Sequence, residues 1–205
     1  MKMNDVQYKN SQVSDVQYRT SHVDLRNKND NEELRIEGYF VVYDDETELW
    51  DGVYEKIDRN AFDGELEKDI RALAGHDREK VLGRVKNNTL TLRSDEKGLW
   101  GSILINKDDP EAFSLYQKVK RGDIDQCSFG FIPTEEERET RSNGELFIVK
   151  RCKLIEVSVV AFPAYENTSV SARKKAFEEE KRKESMTYRK EKLKERMNEL
   201  KSITA

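Results

Sequence analysis

Apolar residues recur along the chain in short runs of two periods, and these runs predict its strands and helices. From Leu34, LRIEGYFVVYDD mixes β-branched and aromatic residues in a half-alternating pattern closed by an acidic turn, which predicts a strand. In IDRNAFDGELEKDIRALAGHD, Phe62, Leu66, Ile70 and Leu73 fall at helical spacing, with Asp58 or Asn60 to cap the start and Gly75 suited to the position past the end. A helix is expected there, with His76 just after it. KVLGRVK, TLTLRS and GLWGSILI then read as three β segments, separated by turns at Asn87-Asn88 and Asp95 to Gly98, which suggests a meander. DDPEAFSLYQKVKRG is the clearest helix, because Asp108 or Asp109 can cap it, Pro110 fits its first position and Gly122 stops it after a basic last turn. Its inward stripe is expected to be Ala112, Phe113, Tyr116 and Val119. QCSFGFIP predicts a strand, and ELFIVKRCKLIEVSVVAFPA a long one ending at Pro163.

The two ends differ from this middle. The first thirty residues carry a short duplication, DVQYKNSQV from Asp5 and DVQYRTSHV from Asp15, with little apolar content around it. Two copies make no solenoid, so residues 1–33 read as a flexible arm, extended or disordered, with a docking peptide as the sharper alternative. From Arg173 to Lys201 strong helix formers place Glu and Lys about four apart, with a thin apolar trace at Leu193, Met197 and Leu200. The expected organisation is an arm over 1–33, a folded domain over 34–172 and a charged helical tail over 173–205.

Composition sharpens that division. Charged residues are 38% of the 205 and hydrophobic ones 36%, so a core of ordinary density fills only part of the chain. The formal charge of −4 hides a tail of 12 Lys/Arg against 7 Asp/Glu from Arg173 onward. The glutamates interleaved there, and the single late Tyr188, give neither a phosphate stripe nor a stacking platform, which argues against nucleic acid as a partner. No apolar run is long enough for a membrane helix. Two cysteines, Cys127 and Cys152, without a basic-then-apolar leader point to a reducing compartment, and no set of residues suggests a metal or cofactor.

Three residues could carry chemistry together. On a strand, Cys127, Phe129 and Phe131 share one face, leaving Ser128 beside Gly130 on the other, where a second backbone can approach the hydroxyl. The bland alternative is a small pair tolerated beside a tight neighbour. Glu156 lies within KLIEVSVVAF, a strand covered on both faces, where an unpaired carboxylate is costly; it needs a structural Arg or Lys, or an imidazole. His76 is the one imidazole outside the arm. Hydroxyl, imidazole and buried acid are the parts of an acyl-transfer triad, while the lack of a G-x-S-x-G elbow disfavours an α/β-hydrolase. Cys127 is a rival nucleophile that should point into the core, Asp77 a rival partner for His76, and Arg84 and Arg151 are electrostatic aids or plain salt bridges.

In order and spacing, IEGYFVVYDD, YEKIDRNAFD, GHDREKVLGRV, EKGLWGSILI, VKRGDIDQCSFGF and LIEVSVVAFPAYENTSV resemble the prohead maturation proteases of tailed bacteriophages, a group related in fold to the herpesvirus protease assemblin. The resemblance runs from about Ile36 to Val170. It implies a mainly β fold with flanking helices, a mostly antiparallel β-barrel of the herpesvirus-protease type. It also implies a serine endopeptidase that cuts scaffold protein, or the scaffold segment of the major capsid protein, inside the assembling prohead in the host cytoplasm. By motif Ser128 is the nucleophile, His76 the general base and Glu156 the third member, where the herpesvirus relatives use a second histidine. Expected partners are the capsid and scaffold proteins; self-cleavage of the termini and a homo-oligomer are compatible with the resemblance. A catalytically silent assembly protein of the same fold is the alternative.

Overall fold

Two long strands, β11 (Gln126–Arg141) and β12 (Gly144–Val160), form a hairpin that is the backbone of a computed structural model describing residues 7–9, 16–21, 26–30, 33–162 and 168–203. The first ends well beyond QCSFGFIP. Its ladder slips register between Gly130 and Phe131, between Pro133 and Glu135 and between Glu135 and Glu136, and such bulges let a proline sit inside a paired strand.

This hairpin organises the larger sheet. On its β12 side, β6 (Val53–Ile57) pairs in parallel with Glu145–Val149 and β7 (Arg71–Ala74) in parallel with Glu156–Val159. Strand β5 (Thr47–Trp50) flanks β6, and β8 (Asp77–Arg84) flanks β7, both antiparallel. On the β11 side lie β1 (Gln7–Lys9) and β2 (Gln17–Ser21), one beyond the other along the same edge. The second sheet has the order β3-β4-β10-β9, from Arg26–Asp30, Glu33–Val42, Gly98–Leu104 and Leu90–Ser94, all antiparallel. The fold is thus mainly β with two helices, but two of its ladders are parallel. No ladder among the described strands closes the sheets into the barrel that the resemblance implies.

The core draws on both sheets. Ile36, Phe40, Leu99 and Ile103 from the smaller one join Phe129, Phe131, Leu154 and Val157 from the larger, and the Cys127 thiol donates to the Tyr39 carbonyl across the gap. Helix α1 (Pro110–Arg121) begins as its sequence dictates: the Asp109 carboxylate accepts from the Glu111 and Ala112 amides, and Gly122 ends it in a left-handed turn. It buries Ala112, Tyr116 and Val119, whereas Phe113 of the expected stripe is exposed.

Three expectations change. The helix expected from Asp58 to Leu73 is a chain of tight turns followed by β7, because Gly64 in the middle takes a left-handed conformation (φ 76°) that no α-helix continues. Phe62 and Ile70 still reach the core from these turns. The expected meander is broken: β8 belongs to the larger sheet and β9 to the smaller, with a 3-10 turn at Val85–Asn87 carrying the chain between them. The arm expected to be flexible supplies β1, β2 and β3.

Thr168–Ile203 forms a second unit, a single helix α2 in which Leu193 and Met197 are exposed; Leu200 of the predicted trace lies outside the residues whose side chains are described. Among the described residues no helix is long and apolar enough to cross a membrane.

Candidate active site

The parallel pairing of β7 on β12 decides where His76 goes. Ala74 pairs with Asp77 across the β7–β8 hairpin, leaving Gly75 and His76 as a two-residue loop, both at positive φ (62° and 63°) as a type I′ turn requires. The histidine therefore sits at a hairpin tip and not at a helix end. Histidine is among the few side chains that visit this region with any frequency. The tip is pinned to β12, where the Gly75 amide donates to the Val159 carbonyl and the His76 amide to Ser158 Oγ at 3.3 Å.

Pinned there, the imidazole meets Glu156. His76 Nδ1 lies 2.9 Å from Glu156 Oε1, and the Ser158 hydroxyl donates to Glu156 Oε2. The carboxylate is buried, so both of its oxygens are engaged, as desolvation demands. Among the described residues no Arg or Lys hydrogen-bonds to it. An ionised carboxylate only accepts, so in this pair Nδ1 carries the proton and a neutral ring keeps its lone pair on Nε2. Nε2 is buried and has no hydrogen-bond partner among the described residues.

Ser128 stands directly across from Ser158 in the β11–β12 ladder, and Gly130 across from Glu156, so all four share one face. Cross-strand neighbours have Cβ atoms about 5 Å apart, which sets Ser128 beside the His76–Glu156–Ser158 cluster. Gly130 is glycine for a steric reason: a Cβ would come within 2.8 Å of Glu156 Oε1 and 2.9 Å of the Tyr18 ring. Cys127, Phe129 and Phe131 face the core as their alternation predicts.

Ser128 was expected to lie open to an incoming backbone, and it is instead fully buried. A backbone does lie against it, but it is the chain's own β2. Thr20 pairs with Ser128 and Tyr18 with Gly130, the Ser128 hydroxyl donates to the Arg19 carbonyl at 2.7 Å, and the Tyr18 ring meets His76 edge-on with centroids 4.5 Å apart.

The rival assignments fare differently. Burial pushes the Cys127 thiol up to about 12, which leaves no thiolate at neutral pH. Asp77 is exposed and accepts from the Glu79 amide, so it does not orient His76. Arg84 pairs with Asp69 and Arg151 with Asp63. Sequence reasoning missed Tyr18, Arg19 and Ser158. Ser158 had a signal, because two residues from Glu156 on a strand is the same face; the arm residues had theirs in the duplication. Among the described residues no group of three or more His, Cys, Asp or Glu could hold a metal ion.

The model of one protein family, Peptidase_S78, described as caudovirus prohead serine protease, matches residues 21–183. No curated protein and no solved structure matches the chain.

Proposed function

Because the chain belongs to the caudovirus prohead serine protease family, we propose that it is a serine endopeptidase that cuts scaffold protein, or the scaffold segment of the major capsid protein, within the assembling prohead, and that Ser128, His76 and Glu156 carry the reaction. The observation behind this reading is the clasp on Glu156: a buried carboxylate bonded to His76 Nδ1 and Ser158 Oγ, on the face that presents Ser128.

In the reaction, Ser128 Oγ attacks the scissile carbonyl carbon while His76 Nε2 takes the hydroxyl proton. Glu156 holds the ring in the tautomer that leaves Nε2 free and stabilises the imidazolium that forms. The proton then passes to the leaving amine, and water repeats the cycle on the acyl-enzyme. Ser158 orients the carboxylate from its other oxygen and is a positioning residue.

A fluorophosphonate probe followed by peptide mapping tests the assignment, alongside incubation of wild type and Ser128→Ala with the capsid precursor. Label on Ser128 and cleavage by wild type alone are expected. Equal cleavage by both proteins removes Ser128 from the mechanism. Neither label nor cleavage would favour the catalytically silent assembly protein.

A further inference from the structure

The arm strand beside Ser128 brings a buried charge with it. Arg19 has its side chain on the face opposite the Glu156 cluster, only 8% exposed, where Nε and Nη2 donate to Glu55 Oε1 and Oε2 at 2.6 and 3.0 Å. Nη2 also donates to Gln17 Oε1 at 2.7 Å, Nη1 donates to the Tyr18 carbonyl at 2.8 Å, and the guanidinium lies 5.6 Å from the centre of the Phe131 ring. Glu55, on β6, is itself 3% exposed. The carbonyl of this same arginine accepts from Ser128 Oγ.

We propose that the edge of β11 is the substrate groove, that Glu55 selects a basic side chain on the residue whose carbonyl is attacked, and that the Arg19-Thr20 bond of the chain's own arm is one such substrate. The proposal rests on Ser128 being the nucleophile. An extended peptide added to a free sheet edge gains affinity from backbone bonds that carry no sequence information, so choice must come from side-chain pockets. The pocket here ends in a buried carboxylate. An Arg fork satisfies it with two charge-assisted bonds, whereas an apolar side chain would leave it without that partner. Lysine brings the charge without the fork and should be read less well.

The duplication supports the same reading. Gln17-Tyr18-Arg19 repeats Gln7-Tyr8-Lys9 ten residues earlier, and the earlier copy pairs with Glu136–Arg138 on the same edge of the same strand. Shifting the arm by one repeat brings Lys9 to the place of Arg19, which makes Lys9-Asn10 a second, slower site. At either bond Ser128 Oγ bonds to the carbonyl carbon and the C–N bond breaks. The serine proton reaches the departing amine through His76, and water then releases a carboxylate and restores the hydroxyl. For this, the Ser128 hydroxyl has to turn from the Arg19 carbonyl oxygen to His76 Nε2.

The test uses the full chain with an octapeptide, Val-Gln-Tyr-Arg-Thr-Ser-His-Val, and its Lys, Leu and Glu replacements at the arginine. Rates should run Arg, then Lys, with Leu and Glu slower than Arg by at least about a hundredfold. Glu55→Gln should shrink the Arg-to-Leu ratio by tenfold or more. Intact mass and N-terminal sequencing of wild type should show a chain beginning at Thr20, absent in Ser128→Ala. If Ser128 takes the fluorophosphonate label yet the Leu peptide is cut as fast as the Arg peptide, the pocket assignment is overturned and the peptidase reading stands. If Ser128 takes no label even in a chain lacking residues 1–21, where β2 no longer covers it, both fall. The peptide series on the unaltered protein decides the matter even if Glu55→Gln does not fold.

Discussion

Glu156 is held by donors on both oxygens, so a change that keeps its shape and removes its charge isolates the electrostatic part. Glu156→Gln should lower kcat by roughly three to four orders of magnitude with a small change in KM, since an amide favours the wrong imidazole tautomer. Gly130→Ala adds a methyl where Glu156 and Tyr18 already stand. It should cost about 1–3 kcal/mol in thermal or denaturant unfolding and reduce turnover more than a random core change of equal cost. The Cys127 thiol, raised to about 12 by burial, should resist alkylation in the folded protein at pH 7.5 and react after unfolding, as counted by mass spectrometry. At this scale the arrangement of the candidate residues was largely readable: alternation put Ser128 opposite the phenylalanines, and an acid among valines announced a buried partner. What alternation could not show is that the open face of Ser128 is already covered, since that depends on a strand about a hundred residues away.

Elements are legible where local chemistry alone decides them. Helix α1 follows from Asp109, Pro110 and Gly122, three residues that act within one turn of themselves. The segment after Asp58 is different, because a helical spacing of apolar residues also arises when turns and a short strand face one core, and the parallel ladder of β7 on β12 is non-local. Asp58 ties the start of those turns: its carboxylate pairs with Lys150 on β12 and accepts from the Asn60 amide and side chain. Burial pushes this acid up, but Lys150 and the Asn60 bonds outweigh it and hold the carboxyl below its usual range. The stabilisation is therefore full above the ordinary carboxylate range and lost as pH falls through the lowered folded value. Lys150→Ala should cost at most about 1 kcal/mol at pH 7 and flatten the stability curve below pH 4, measured by urea unfolding across pH.

For the whole molecule, the arm and β11 form one object. Removing residues 1–21 should speed fluorophosphonate labelling of Ser128, because β2 no longer covers it, while the bared edge of β11 should raise self-association in light scattering. Sequence reading placed the arm outside the domain because its residues are polar, and polarity is a poor guide when a strand is held by backbone pairing and a buried ion pair.

A covalently attached strand in a berth that admits one guest at a time behaves as a competitor present at about millimolar concentration, whatever the dilution of the protein. Free peptide in a test tube meets that competitor at a disadvantage, whereas a substrate crowded around the site at comparable density would meet it on even terms. Initial rates on free peptide should therefore keep rising into the millimolar range for the intact chain and level off far earlier once the tether is cut, so local density would set when cutting starts.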